Sequence, residues 1–208
     1  MGAKKEKHGE FCIIKWFLDF TGDQGEVMIF YAAKFHWYGF TAVYTSWISH
    51  DMISGVKVRT RFSHVHFPEV NEKEIVWEDA KFGISGKWVS MAETICSRLY
   101  DSEEGFLDWN CLQPASRVKI WQNNKMLEGY GYAENLKMTV PAWKIPMHDL
   151  RWGRFISSAY HLVWIELREK EKKQWLWING KRMNGCTIEN EYVSVPELQL
   201  ILELDRRI

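Results

Sequence analysis

The sequence lacks the short motifs that identify several large classes of enzyme. It contains no G-x-S-x-G element, no glycine-rich phosphate loop and no dinucleotide-binding fingerprint. Hydrolase triads and nucleotide cofactors therefore have no sequence support, and we expect no cofactor. The chain also has no excess of charge, since 27 basic residues balance 27 acidic residues. This balance does not favour nucleic acid as a partner.

Cysteine is scarce, and no C-x-x-C pair occurs among Cys12, Cys96, Cys111 and Cys186. The wide spacing argues against structural zinc and against a disulfide framework. We therefore predict four free thiols and a cytoplasmic protein.

Long apolar runs are missing as well. The apolar stretch near the start is interrupted by Lys15 and Asp19, so we predict no signal peptide. No run is long enough to cross a bilayer as a helix, and we predict no transmembrane segment. Residues 1–10 are predicted to form a flexible N-terminal tail.

What the sequence has instead is alternation of apolar and polar residues, which is typical of β-strands. Roughly ten to twelve such runs can be counted, against no convincing helix. They are separated by turn-forming segments such as TGDQG and DSEEG. Sequential hairpins leave a costly open edge unless the sheet closes or packs against another. We therefore predict an all-β, antiparallel, lipocalin-like (calycin-type) β-barrel with little helix, forming a single domain over residues 11–208.

The segment GYGYAENL, residues 129–136, concentrates aromatic residues around one acid. Alternation places Tyr130, Tyr132 and Glu134 on one face of a strand and glycine and alanine on the other. Because small residues suit close packing, we predict that the tyrosine face looks into the barrel interior. Burial there would raise the pKa of Glu134 and make it a candidate catalytic acid beside Tyr132. In the alternative interpretation, Glu134 pairs with Arg151 or Arg154, or lies on an outer face.

The segment LRWGRF, residues 150–155, supplies further candidates for ligand binding. Trp152 and Arg154 share a face, so the guanidinium could stack on the ring while holding Glu134 or a ligand carboxylate. Alternatively, the two side chains only tie neighbouring strands together. Pro141 and Pro146 predict a rigid connection before this strand. The candidate ligand-binding residues are Tyr130, Trp143, Trp152 and Arg154.

Two pairs of residues raise other possibilities. His64 and His66 have the spacing of two metal ligands on a strand, but Glu69 follows Pro68 too closely to complete a metal site. We expect exposed histidines and no metal. Trp175 and Trp177 share one face and could stack on a sugar or pack in a core.

The run GYGYAENLKMTVPAWKIPMHDLRWGRF, residues 129–155, resembles the superfamily of carotenoid 1,2-hydratases (hydroxyneurosporene synthases), which includes lipocalin-like proteins and, more distantly, tocopherol cyclases. The stretches WFLDFTGDQGEVMIFYAAKF and FLDWNCLQPASRV resemble the opening hairpin and a middle strand pair of the same superfamily. The resemblance implies a lipocalin-type fold, often in two halves, with cofactor-free acid chemistry on an isoprenoid double bond in the enzymatic members. Glu134 falls where the hydratases tend to have an aspartate, and Tyr132, Trp152 and Arg154 match motif positions.

Together these features predict a barrel that binds an apolar or isoprenoid-like small molecule. The predicted chemistry is protonation of an alkene by Glu134, followed by capture of the carbocation by water or by an internal nucleophile. A non-catalytic protein that binds the same class of ligand is an open alternative. A carbohydrate-binding β-sandwich is another, and it requires exposed Trp175 and Trp177. Whether the protein is an enzyme, which ligand it binds and its oligomeric state are left open by the sequence.

Overall fold

The computed structural model describes residues 11–51, 55–122, 124–168 and 172–203. This part of the chain contains 17 strands and two short 3-10 helices, and every strand pair is antiparallel. The predicted all-β, antiparallel class is confirmed. The predicted tail over residues 1–10 lies outside the described residues. Contacts divide the chain into two compact units, Met1–Ile145 and Pro146–Ile208.

The described part of the first unit contains ten strands and one short helix. The strands are β1 (Phe11–Gly22), β2 (Val27–Trp37), β3 (Phe40–Asp51), β4 (Gly55–Arg61), β5 (Glu69–Asn71), β6 (Glu74–Asp79), β7 (Ile84–Ser90), β8 (Ile95–Ser102), β9 (Gly105–Gln122) and β10 (Lys125–Met138). They form one sheet in the order β4-β3-β2-β1-β10-β9-β7-β6-β5, with β8 paired to β9. A 3-10 helix, Ala142–Lys144, follows β10.

This sheet curls over an aromatic core. Phe30 on β2 contacts Trp77 on β6 and Trp88 on β7, with ring centroids 5.2 and 5.7 Å apart. These strands are far apart in the sheet order, so their contact requires the sheet to bend back on itself. Arg61 of β4 and Asp79 of β6 form an ion pair with 2.6 Å between Nη2 and Oδ2. Within the described residues, β4 and β5 each pair on one side only, so the curled sheet is not closed by a continuous ladder.

One long alternating run of the sequence is divided between two strands. The segment KWVSMAETICSRL contributes to β7 and β8, with a break at residues 91–94. The two strands pair with different halves of β9, on either side of Pro114. Because proline has no N–H to continue a ladder, the edge of β9 changes partner there.

The second unit has two smaller sheets. Its strands are β11 (Asp149–Ile156), β12 (His161–Arg168), β13 (Lys172–Ile178), β14 (Lys181–Met183), β15 (Thr187–Ile188), β16 (Tyr192–Val195) and β17 (Leu200–Glu203). A four-stranded sheet has the order β11-β12-β13-β14, and a three-stranded sheet has the order β15-β16-β17. Pro196–Leu198 form the second 3-10 helix.

The second unit also has an apolar core of its own. Leu162, Trp164 and Leu176 of the larger sheet cluster with Ile188 and Val193 of the smaller sheet. Such a unit need not fold by itself, so the single domain over residues 11–208 stays a prediction.

Candidate active site around Glu134

The small face of β10 lies against the main aromatic core. Gly131 and Ala133 are paired with Phe20 and Leu18 of β1, and all except the glycine belong to this core. A Cβ at Gly131 would lie 2.9 Å from Nε1 of Trp88, so only glycine lets this ring approach the strand. The structure therefore differs from the prediction that the tyrosine face looks into the core.

The opposite face of β10 is buried as well. Tyr132 and Glu134 are 0% and 7% exposed, and pairing across the sheet places them beside Asp19 and Phe17 of β1. Cys111 of β9 lies directly opposite Glu134. We refer to the side chains that surround this carboxyl as the Glu134 group, which comprises Glu134, Lys15, Phe17, Tyr31, Trp109, Cys111 and Tyr132.

The Glu134 carboxyl receives hydrogen bonds from two neutral donors. Trp109 Nε1 donates to Oε2 at 2.5 Å, and the Tyr132 hydroxyl donates to the same oxygen at 2.6 Å. Within the described residues, no hydrogen bond reaches Oε1. This arrangement suits a protonated acid, in which Oε2 is the carbonyl oxygen and Oε1 carries the proton.

Burial raises the pKa of Glu134, which favours the same protonation state. The hydrogen bonds from Tyr132 and Trp109 and the charge of Lys15 act in the opposite direction but do not cancel the effect of burial. An acid with a raised pKa holds a proton nearer to neutral pH and can transfer it to a bound molecule.

The neighbours of Glu134 are also shifted towards their neutral forms. Burial raises the pKa of the Tyr132 hydroxyl and of the Cys111 thiol, which are hydrogen-bonding neighbours. Burial also lowers the pKa of Lys15, whose Nζ lies 4.7 Å from the centre of the Tyr31 ring. The Phe17 ring contacts Tyr31 and Tyr132 edge-on, at 5.2 and 6.1 Å. The site is thus a buried acid among aromatic rings, with Lys15 and Asp19 as charged neighbours of the group.

Two other predicted residues of the first unit lie apart from this group. Tyr130 is half-buried, and the Arg117 guanidinium covers its ring at 4.2 Å. Trp143 is 66% exposed on the 3-10 helix. Its ring contacts are with Phe11 and Trp37, at 5.7 and 5.8 Å.

Trp152 and Arg154 belong to β11 of the second unit. They lie opposite Ile165 and Val163 of β12 and share one face, as alternation predicts. A pair between Arg154 and Glu134 would join residues of two units, and it stays a prediction.

The alternative partner, Arg151, is engaged inside the second unit. Its Nε donates to Oε2 of Glu166 at 2.7 Å, and its Nη1 donates to Asn190. The carboxylate that neutralises Arg151 is therefore Glu166.

The tryptophan pair of β13 does not form an exposed row. Trp177 is 5% exposed and Trp175 is half-buried, which counts against a carbohydrate-binding surface there. His64 and His66 are exposed, as expected, but they lie in a loop between β4 and β5.

The described residues contain no cluster of three or more His, Cys, Asp or Glu side chains able to hold a metal ion. All four cysteines are free. None of the described helices has the length and apolar character needed to span a membrane.

Sequence reasoning missed several members of the Glu134 group, including Lys15, Phe17, Trp109 and Cys111. Alternation does place Trp109 with Cys111 on one face, and Lys15 with Phe17 on another. The missing information is the register of β1 and β9 against β10, which decides which faces meet. The resemblance covers the stretches that contain Phe17, Trp109 and Cys111, but it does not indicate that they surround Glu134, and Lys15 lies just before the first of these stretches.

No protein-family model matches this sequence, and no curated protein matches it. Among solved structures, kievitone hydratase from Nectria haematococca is similar, with a TM-score of 0.52 and 10% identity over 95% of this chain and 71% of that chain. An AttH protein from Nitrosomonas europaea has a TM-score of 0.48 and 10% identity over 97% and 79% of the two chains. CghA has a TM-score of 0.41 and 11% identity over 84% and 60%. At this identity, the likeness to kievitone hydratase shows a shared fold and nothing further.

Proposed function

We propose that the Glu134 group binds an apolar, isoprenoid-like small molecule and that Glu134 protonates one of its carbon–carbon double bonds without a cofactor. The observation that carries this proposal is the buried carboxyl whose two hydrogen bonds, both from neutral donors, end on Oε2. A carboxyl whose pKa has been raised by burial can serve as a general acid in an enzyme.

The proposed reaction begins with transfer of the Oε1 proton to one alkene carbon, which leaves a carbocation at the other. The π faces of Phe17, Tyr31 and Tyr132 stabilise that cation. The hydrogen bonds from Trp109 and Tyr132 stabilise the Glu134 carboxylate formed at the same time. Water then adds to the cation and returns a proton to Glu134, which completes a hydration.

Cyclisation is the second outcome of the same first step. If another double bond of the ligand attacks the cation, a ring forms, and loss of a proton to Glu134 ends the reaction. Tyr130 and Trp143 are proposed to contact more distant parts of the ligand, and Trp152 and Arg154 stay predicted ligand-binding residues of the second unit. The name of kievitone hydratase agrees with a hydration reaction, but this agreement is an analogy that rests only on the shared fold. The free thiols fit a reducing compartment such as the cytoplasm.

The test compares Glu134→Gln with Glu128→Gln, a change at an exposed acid of the same strand. Geranylgeraniol in heavy-oxygen water is the probe, and mass spectrometry detects incorporated oxygen or a cyclised product. Relative to the wild type, we expect turnover to be at least about 100-fold lower in Glu134→Gln and unchanged in Glu128→Gln. Binding, followed by tryptophan fluorescence, should survive in both variants.

Other outcomes discriminate the alternatives. Binding by the wild type without any product would favour a non-catalytic binding protein. Equal turnover by wild type and Glu134→Gln would exclude Glu134 as the acid, and absence of binding would contradict the site itself.

A further inference from the structure

The hairpin that joins β2 and β3 ends in exposed aromatic residues. We call Trp37, Tyr38, Phe40 and Trp143 the aromatic tip; they are 41%, 68%, 62% and 66% exposed. The Trp37 ring contacts Trp143 at 5.8 Å and Tyr38 at 5.7 Å, so the exposed rings form one surface. Contiguous exposed aromatic surface of this kind marks an interaction site.

The turn itself keeps an aromatic residue at an unfavourable position. Tyr38 and Gly39 both have positive φ, at 43° and 81°, as a two-residue hairpin turn of type I′ requires. Asn, Asp or Gly suits the first position, whereas a tyrosine there is strained. The large aromatic side chain therefore stands at an exposed position where the turn itself favours a small or amide residue.

The charge around the tip is also distinctive. The chain has 27 acidic residues, but none lies between residues 27 and 50, which include all of the hairpin except Asp51 at the far end of β3. Lys34 and His36 lie in this stretch, whereas Lys144, which follows Trp143 directly, is paired with Glu104 at 2.9 Å. Trp and Tyr rings favour the headgroup level of a lipid bilayer, and basic side chains favour its anionic lipids.

The tip lies on the same sheet face as the Glu134 group. Phe11, Trp37 and Phe40 are paired across β1, β2 and β3 and share a face. Alternation along β2 puts Tyr31 of the Glu134 group on this face too. Tyr31 lies six residues from Trp37, about 20 Å along an extended strand.

We propose that the aromatic tip docks the protein on a lipid bilayer surface and that an apolar ligand passes from the bilayer along this face to the Glu134 group. The destination of the ligand rests on the function proposed above. Docking does not, because it depends only on the exposed rings and on the basic, acid-free hairpin sequence between residues 27 and 50.

The experiment is co-sedimentation of the full chain with vesicles of phosphatidylcholine and phosphatidylserine. The test variant combines Trp37→Ser and Phe40→Ser. The control combines Trp121→Ser and Met126→Ser, which alter residues 40% and 51% exposed at the β9–β10 hairpin. We expect the wild type and the control to bind vesicles alike, and the partition coefficient of the test variant to fall at least about tenfold, equivalent to about 1.4 kcal/mol.

Three results would overturn docking. The wild type could stay in the supernatant, or the control could lose as much binding as the test variant. Sedimentation velocity could instead show a dimer that the test variant dissociates while vesicle binding is absent, which would assign the tip to a second copy of this chain.

A further pair of measurements separates docking from the proposed function. Glu134→Gln should bind vesicles like the wild type, so a failure of the acid chemistry leaves the docking result intact. The test variant should convert vesicle-embedded geranylgeraniol more slowly than the wild type, but detergent-solubilised geranylgeraniol equally well. Unchanged conversion of the embedded probe, despite lost docking, would overturn the proposed route.

Discussion

Glu134 of the first unit and Glu166 of the second are both buried, at 7% and 0% exposure, yet their surroundings are opposite. Glu134 is hydrogen-bonded by the neutral donors Trp109 and Tyr132. Glu166 is hydrogen-bonded by two guanidinium groups, Arg151 and Arg168, and by an amide. The comparison shows that the hydrogen-bond donors around a buried carboxyl, and not burial alone, set the direction of its pKa shift.

The pKa values of the two acids move in opposite directions. Burial raises the pKa of Glu134, and its neutral donors do not reverse this shift. Burial would also raise the pKa of Glu166, but the hydrogen bonds from Gln174, Arg151 and Arg168 outweigh it and lower the pKa. The shifts therefore favour the protonated form of Glu134 and the carboxylate form of Glu166.

The Glu166 network connects the two sheets of the second unit. Gln174 donates to Oε1 of Glu166 and to the backbone oxygen of Ile188, each at 2.9 Å. Asn190 accepts hydrogen bonds from both Arg151 and Arg168. Glu166 therefore has a structural role in this unit.

The largest expected effect that tests this contrast is loss of stability in Glu166→Gln. The change removes the counter-charge of the half-buried Arg151 guanidinium and leaves Arg168 only its exposed partner Asp149. This should lower the free energy of unfolding by about 3 kcal/mol. Urea denaturation measures this loss, with the exposed Glu197→Gln as control. A loss no larger than that of the control would show that the network is not structural.

Tyr132→Phe should have an intermediate effect of about 1 kcal/mol, because it removes one hydrogen bond to Oε2 of Glu134. It should also raise the pKa of Glu134 further, since that hydrogen bond favours the carboxylate. Infrared titration of the carboxyl stretch, assigned by its absence in Glu134→Gln, measures this pKa. An unchanged or lower pKa would contradict the role given to Tyr132.

Glu134→Gln should cost less than about 1 kcal/mol of stability, in contrast to Glu166→Gln. The amide is close in shape to a protonated carboxyl, and its oxygen still accepts hydrogen bonds from Trp109 and Tyr132. Thermal melts at neutral pH measure the difference. A loss as large as that of Glu166→Gln would indicate that Glu134 is a paired carboxylate, as in the alternative that pairs it with Arg154.

The smallest expected effect is the pH dependence of stability, which should differ in sign between the two acids. The contribution of Glu134 is present below the pKa of an unfolded glutamate, about 4.3, and is lost as pH rises through its raised folded pKa. The contribution of Glu166 is present above that value and is lost as pH falls through its lowered folded pKa. Thermal melts of the wild type, Glu134→Gln and Glu166→Gln from acidic to neutral pH measure the two contributions. If both contributions changed with pH in the same direction, the contrast between the two acids would be wrong.

The alternation of the sequence predicted much of the Glu134 site in the first unit, but little of the Glu166 network in the second. Alternation in GYGYAENL placed Tyr132 and Glu134 on one face, and the structure buries both. No comparable signal distinguished Glu166, because LVWIEL reads as an ordinary strand with one acid. Its partners Arg151, Gln174 and Asn190 come from three other segments, and only their pairing in space identifies the network.

By itself, the sequence determined the all-β class, the positions of most strands and the pairs of residues that share a face, because alternation with period two is a local property of the chain. Only the tertiary structure decided which faces meet. Register places Trp109, Cys111 and Phe17 around Glu134, and close approach of Trp88 to Gly131 turns the glycine face towards the aromatic core. These contacts join residues far apart in the chain, and the choice among possible registers depends on packing over the whole sheet.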